Sequence, residues 1–249
     1  MELIDWNGRT VEAERSRSGV TALLNVSDNL IAVPSRGGDL PSEIQSRLAM
    51  SDGNDGFDSD EIARLSAGLG FYSDMQSLRC VDPVTWSVFG TVAASGAKER
   101  AFWVQELLGR IGLSYNLSEP AEVSLWKALG RVGDVEGTLE TGASVITRDA
   151  AVFFEASWFD PDNSRSSVED VMAELRFLSS LSGGRISKAE DRLVLVLLRL
   201  HGDAQLRPGK YDGVELRHMS WQYLVSLGSH PLYDEVNRYY DWKLGLIGT

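Results

Sequence analysis

The run LVLVLL at residues 193–198 restricts the fold of this chain more than any other stretch. It is far too short to span a bilayer, and an unbroken run of Leu and Val is typical of a strand that is buried on both faces. Strands of this kind lie in sheets that helices cover on both sides. The run therefore predicts a central strand of an α/β protein.

Composition is that of an ordinary globular protein. The chain has 249 residues, of which 43% are hydrophobic, and this is enough for a real core. A formal net charge of −12 gives no general attraction to nucleic acid, so any such contact must be local. Cys80 is the only cysteine, which favours a reducing compartment. The first residues lack an apolar signal segment, so we expect a soluble cytoplasmic protein with no membrane partner.

The pattern becomes regular from about residue 79, and we predict an N-terminal extension of unknown role over 1–75 and an α/β domain over 76–249. Three helices come first in the predicted order, and Ser118 and Pro120 begin the third of them. The predicted elements are helices in DPVTWSVFGTVAAS, AKERAFWVQELLGRIGL and SEPAEVSLWKALGRVG, strands in ETGASVI and AVFFEAS, a helix in SSVEDVMAELRFLSSLSGG, strands in DRLVLVLLRL and GVELRHM, and helices in SWQYLVSLG and HPLYDEVNRYYDWKLGL. This order predicts a mixed sheet flanked by helices.

A hairpin is predicted where TRDA separates the two adjacent strands. With Arg148 and Asp149 at the centre of the turn, Glu155 faces Gly142 and Ser157 faces Glu140. Side chains alternate along a strand, so these four facing positions share one side of the hairpin.

This arrangement resembles the PD-(D/E)XK nuclease superfamily, which has the restriction-endonuclease-like fold. The resemblance lies in a helix with a Glu, a strand, a turn and a strand that ends near an acid, and it covers about residues 79–249. The stretches DPVTWSVFG, AFWVQELL, LVLVLLRLHGD and SWQYLVSL are also similar to bacterial members. The resemblance implies a restriction-endonuclease-like mixed sheet and a Mg²⁺-dependent nuclease site on the hairpin.

The sequence departs from the family pattern at two of the three core positions. Glu155 matches the acid of the (D/E)-x-K strand, but Gly142 stands where the metal-binding Asp is expected and Ser157 where the Lys is expected. Glu122 matches the helix acid of some members. A lone carboxylate is a poor Mg²⁺ site, and Ser cannot replace the positive charge of Lys. We therefore expect an inactive nuclease fold that has no cofactor.

A rearranged site is the competing enzyme hypothesis. Glu140 lies on the same predicted face as Glu155, and these two carboxylates could bind Mg²⁺. Lys127, on the helix predicted to carry Glu122, could replace the missing cation. In this hypothesis Glu122, Glu140, Glu155 and Lys127 form the site of an active metal-dependent nuclease.

Positive charge is concentrated between residues 185 and 217. This stretch is the best candidate for contact with a phosphate backbone, and its candidate nucleic-acid-binding residues are Arg185, Lys188, Arg192, Arg207 and Lys210. The resemblance implies a non-catalytic component that binds a protein partner or nucleic acid in a bacterial assembly, such as an antiviral defence system. A scaffold that never contacts nucleic acid is the third hypothesis, and the net charge favours it.

Overall fold

The computed structural model describes residues 1–31, 41–49, 55–129, 139–158, 168–180, 192–200 and 206–247. The chain forms two compact units, Met1–Ser87 with Asp234–Thr249, and Val88–Tyr233. The C-terminal helix thus falls almost wholly in the first unit, although the sequence analysis assigns it to the second domain. The boundary between residues 75 and 76 stays a prediction.

The described strands and helices follow one another in a mixed order. The strands are β1 (Glu2–Ile4), β2 (Thr10–Arg15), β3 (Thr21–Leu23), β4 (Glu122–Leu125), β5 (Ala128–Leu129), β6 (Leu139–Glu140), β7 (Ala143–Ile146), β8 (Ala151–Ala156), β9 (Leu193–Arg199), β10 (Gly209–Tyr211) and β11 (Val214–Ser220). The α-helices are α1 (Ser42–Leu48), α2 (Ser59–Leu65), α3 (Asp82–Thr85), α4 (Thr91–Ala93), α5 (Ala97–Arg110), α6 (Val168–Ser180), α7 (Trp221–Val225) and α8 (Tyr233–Ile247). A π-helical turn at Trp86–Gly90 joins α3 to α4, and 3₁₀ turns lie at Val26–Asn29 and Asp74–Gln76.

The first unit contains a three-stranded antiparallel sheet in the order β1-β2-β3. Val11 and Ala13 alternate along β2 with polar residues and point into a small core. Trp242 and Leu246, one helical turn apart on α8, pack against that core. The apolar stripe of the last helix therefore covers the sheet formed by the first residues of the chain.

The second unit contains a six-stranded mixed sheet in the order β10-β11-β9-β8-β7-β4. Strands β8, β9 and β11 run parallel, and β7, β4 and β10 pair antiparallel with their neighbours. The helix α6 follows β8 in the chain and precedes the parallel strand β9, as the connection between parallel strands requires. The protein is thus a mixed α/β protein whose larger sheet is flanked by helices.

The two faces of this sheet pack against different helices. Phe153 and Leu195 contribute to a core with Val171, Leu175 and Leu178 of α6. On the opposite face, Phe154 lies 4.9 Å from Phe89 between ring centroids, and Phe89 lies 5.6 Å from Trp103 of α5. Every residue of 194–198 in β9 is buried, so the prediction of a central strand is confirmed.

The hairpin prediction is confirmed in its register. Ala143 pairs with Phe154 and Ile146 with Ala151 in the antiparallel pair β7–β8, the register expected from a turn centred on residues 148 and 149. The hydroxyl of Thr147 donates to the carbonyl of Ala150 and closes this turn.

The third predicted helix, in SEPAEVSLWKALGRVG, is wrong in its described part. Residues 122–125 form β4, which pairs with β7 through Val123 opposite Val145. Val123 and Leu125 are buried, and Glu122 and Ser124 point to the other face. This period-two alternation is the strand signal, and pairing with β7 outweighs the helix-start signal of Ser118 and Pro120.

Candidate functional site

Three parallel strands end at one edge of the large sheet, and we take this edge as the candidate site. Ala156 of β8, Arg199 of β9 and Ser220 of β11 are the last residues of these strands. In open α/β sheets, ligands usually bind just beyond the carboxyl ends of parallel strands. Side chains near these strand ends are therefore the first candidates for ligand binding or catalysis.

The strand register brings three polar side chains together on the α6 side of this edge. Glu155 and His218 both lie opposite Leu197, one on each side of β9. Leu197 belongs to the core under α6, so Glu155 and His218 point toward the same helix. Arg199, two residues beyond Leu197, points to that face as well.

Glu174 reaches this group from α6. Burial and the negative charge of Glu155 together raise the pKa of its carboxyl to about 8, while Arg199 acts in the opposite direction. Asp170, one turn earlier on α6, also raises this pKa. Glu174 is therefore largely protonated at neutral pH and can donate a hydrogen bond as a neutral acid.

The pKa of His218 is lowered, which favours the neutral imidazole. Burial lowers its pKa, and the positive charge of Arg199 lowers it further, against a hydrogen bond to the backbone of Leu206. A neutral acid, Glu174, and a neutral base, His218, thus lie near the same strand ends. Titratable groups shifted in this way by burial and by specific neighbours are typical of functional sites, although ion-pair networks produce the same shifts.

Glu122 and Lys127 lie away from Glu155. Glu122 pairs with Ile146, which pairs with Ala151, so its Cα atom is two strands across and four residues back from Glu155, a separation of about 16 Å at normal sheet spacings. Its carboxylate oxygen lies 3.0 Å from Nζ of Lys127, and both side chains are exposed. Glu122 and Lys127 contact each other at β4, the outermost strand on that side of the sheet, and neither residue lies on a helix.

Glu140 belongs to a separate two-stranded ribbon. It pairs with Ala128 in β5–β6, and its side chain is exposed. The paired residues of β7 and β8 end at Ala143 and Phe154, one residue before Gly142. The N–H of Ser157 donates to the carbonyl of Leu198, and its carbonyl accepts from the indole of Trp221. The catalytic roles of Glu140 and Glu155 stay predictions.

Mg²⁺ is the metal that the rearranged-site hypothesis requires. Mg²⁺ prefers ionised oxygen ligands in an octahedron, and in the metal-free protein burial and the charge of Glu155 raise the pKa of Glu174. The charge of Arg199 also acts on Glu174, where a bound cation would add a second positive charge. Among the residues that the structure describes, no three His, Cys, Asp or Glu side chains are grouped as a metal ion needs.

Two arginines bind one carboxylate on the other face of the sheet, on β11 next to the edge strand β10. Glu215 accepts from Nη2 of Arg192 at 2.8 Å through one oxygen and from Nη2 of Arg217 at 2.7 Å through the other. Lys210 is the cross-strand partner of Glu215, and the carbonyl of Arg207 accepts from the hydroxyl of Tyr211. The pKa of Glu215 is lowered, first by Arg192 and then by Arg217. Arg185 and Lys188 lie outside the described residues.

Sequence reasoning missed Glu174 and His218 and counted Arg199 only as one more positive charge. One signal was present in the sequence. Glu174 lies three residues after Val171 and four before Leu178, so it interrupts the apolar stripe of a helix. His218 gives no comparable signal, because only the pairing of β11 with β9 places it beside Arg199.

A scan against protein-family models finds no match, and a search of curated proteins finds no significant relative. Within the described ranges, no helix is both long enough and apolar enough to cross a membrane.

Proposed function

We propose that this protein is a restriction-endonuclease-like component without nuclease activity that binds the phosphate backbone of nucleic acid in a bacterial assembly. The observation that carries the proposal is the pair of arginines, Arg192 and Arg217, that bind Glu215, with Lys210 as the cross-strand partner of Glu215. The mixed sheet flanked by helices supports the fold assignment, and the hairpin with Glu155 supports the resemblance.

The cations around Glu215 outnumber the one acid that they adjoin, which favours an anionic partner. Arg192, Arg217 and Lys210 carry three positive charges beside the single carboxylate of Glu215, in a chain of net charge −12. Arg192 and Arg217 are each 41% exposed at the side chain, so their guanidinium groups are held by Glu215 and still reach solvent. Arg192 already donates to Glu215 through Nε and Nη2, so a phosphate would be contacted by its remaining N–H groups.

The absence of nuclease activity is proposed from the chemistry of the hairpin. Ser157 cannot supply the cation that the family has at this position, and Gly142 has no ligand atom on its side chain. Glu122 and Lys127 neutralise each other about 16 Å from Glu155 at normal sheet spacings. Neither residue is therefore positioned to assist a water molecule at Glu155.

Binding is tested by fluorescence anisotropy with labelled duplex and single-stranded oligonucleotides over a series of salt concentrations. We expect the logarithm of the affinity to fall linearly with the logarithm of salt, by about 0.9 per phosphate contact on duplex DNA. The triple variant Arg192→Gln, Arg207→Gln, Lys210→Gln should flatten this slope by up to about 3. The matched control Lys98→Gln, Arg148→Gln, Arg238→Gln removes the same charge at exposed positions elsewhere and should leave the slope unchanged.

Two results would contradict nucleic-acid binding. One is unmeasurable affinity at low salt, which favours a protein partner. The other is an equal loss in both triple variants, which means that only the net charge matters.

Catalysis is tested with purified protein, millimolar Mg²⁺ or Mn²⁺, and duplex or single-stranded DNA. We expect no cleavage above that of a Glu155→Ala control. Cleavage that disappears in Glu140→Ala and in Lys127→Ala would establish the rearranged nuclease instead.

A further inference from the structure

A lysine lies at the centre of the first unit, where nothing in the proposed function uses it. Lys243 of α8 has an exposed fraction of 0%. Its Nζ donates to Oδ1 of Asn29 at 2.9 Å and to the carbonyl of Leu78 at 3.0 Å. The lysine therefore joins the last helix to two segments near the start of the chain.

Asn29, one of the two partners of Lys243, is itself held by three hydrogen bonds. Its amide nitrogen donates to the carbonyls of Met75 and Ser77, at 2.8 and 3.0 Å, and its own carbonyl accepts from the hydroxyl of Tyr239 at 2.8 Å. Lys243 is thus held by an amide oxygen and a carbonyl, which carry no net charge. A buried ammonium that has only neutral acceptors is costly, and such a group reduces the cost by losing its proton.

We infer that Lys243 makes the docking of α8 on the β1–β3 sheet depend on protons: the helix is held most tightly when the amine is neutral and is loosened as the pH falls toward neutrality. The geometry supports this because Lys243 is fully buried and both groups that accept from its nitrogen are neutral. Protonation adds a charge at this position without adding a counter-charge.

The direction of the pKa agrees with this inference. Burial lowers the pKa of Lys243 from 10.5 to about 7. Between these values the unfolded chain binds more protons than the folded chain, so stability rises with pH in this window and is lost as the pH falls to about 7. Below that pH, Lys243 is charged in both states and contributes no further pH dependence.

Two other titratable groups face this network and limit the pH range in which the effect of Lys243 can be measured by itself. The thiolate of Cys80 would raise the pKa of Lys243, but burial and the charge of Asp82 together raise the pKa of Cys80 itself to about 12. Burial also raises the pKa of Tyr239. Both groups oppose the effect of Lys243 only at alkaline pH, so a range of about pH 7 to 8.5 isolates the lysine.

The test is amide hydrogen exchange of the full chain, followed by mass spectrometry on peptides from α8 and corrected for the intrinsic effect of pH. In the wild type we expect protection of α8 to rise about tenfold per pH unit between pH 7.5 and 8.5. Lys243→Met should abolish the rise, and the exposed control Lys98→Met should retain it. A flat wild-type profile, or an unchanged rise in Lys243→Met, would overturn the inference.

A second measurement does not require the variant to fold. In wild-type protein labelled with ¹³C at lysine Cε, one lysine signal should titrate near pH 7, well below the others. Substituting the remaining lysines with Arg, one at a time, assigns that signal to Lys243 by elimination. If every lysine signal titrates above pH 9.5, Lys243 carries a charge throughout the range and the inference fails.

Discussion

Lys243 in the first unit and Glu174 in the second are both buried ionisable groups, but their surroundings differ. Lys243 donates to the neutral acceptors Asn29 and Leu78 and has no exposed surface. Glu174 lies among the charges of Glu155, Asp170 and Arg199 at a sheet edge. Burial alone explains the shift at Lys243, whereas like charges add to it at Glu174. A structural network keeps its polar atoms satisfied, and a site where like charges are held together is a better candidate for function.

The two groups also couple folding to protons in opposite directions. The lowered pKa of Lys243 makes stability rise with pH above about 7. The raised pKa of Glu174 makes stability greatest below its unfolded value of 4.5, and this contribution is lost as the pH rises through about 8. Exchange measured separately on α8 and on α6 should therefore show opposite slopes.

The largest effect is expected from Lys243→Ala. The substitution leaves Oδ1 of Asn29 and the carbonyl of Leu78 buried without a donor and opens a cavity, so the first unit should lose about 3 kcal/mol of unfolding free energy. Urea unfolding combined with exchange of α8 measures this loss. The exposed Lys127→Ala serves as the control. A loss no larger than that of the control would show that the network does not stabilise the unit.

A smaller effect is expected at Glu174 from pH alone. Between pH 6.5 and 7.5, protection of α6 in the wild type should fall by up to about tenfold, because the folded state binds more protons than the unfolded state at this group. Glu174→Gln keeps the neutral shape and should remove the dependence. Equal slopes in wild type and variant would assign the pH effect to another group.

Glu155→Gln should lower the pKa of Glu174 and have little effect on stability. Removing the negative charge of Glu155 lowers the pKa of Glu174 below about 8, while burial keeps it above 4.5. A ¹³C titration of the Glu174 carboxyl measures the shift. The matched variant Glu122→Gln, at the far edge of the sheet, should leave this titration unchanged. If the pKa of Glu174 is unchanged in Glu155→Gln, the two carboxyls do not interact, and the candidate site loses its support.

The smallest effect is expected from the exposed pair Glu122–Lys127. A double-mutant cycle with Glu122→Gln and Lys127→Gln should give a coupling energy of roughly 0.2–1 kcal/mol, because both side chains are solvated. The coupling should weaken further at high salt. A coupling of several kcal/mol would mean that the pair is buried in a complex, and it would reopen the rearranged-site hypothesis.

The hairpin and the central strand could be predicted because their signals are local. The unbroken apolar run fixes β9 as buried, and the turn residues Arg148 and Asp149 fix the register of β7 and β8. Alternation then places Glu155 on a definite face. These conclusions need only the period of the pattern and the geometry of a turn.

Only the tertiary structure decided which distant segments meet. It made a strand of residues 122–125, whose helix-start signal was outweighed by hydrogen bonds to β7, and it placed Glu122 opposite Ile146. It brought Glu174 and His218 to Glu155 through the parallel pairing of three strands under α6, and it docked α8 on the N-terminal sheet through Lys243 and Asn29. Composition and periodicity record which side chains avoid water, whereas strand order and helix docking depend on contacts between segments far apart in the chain.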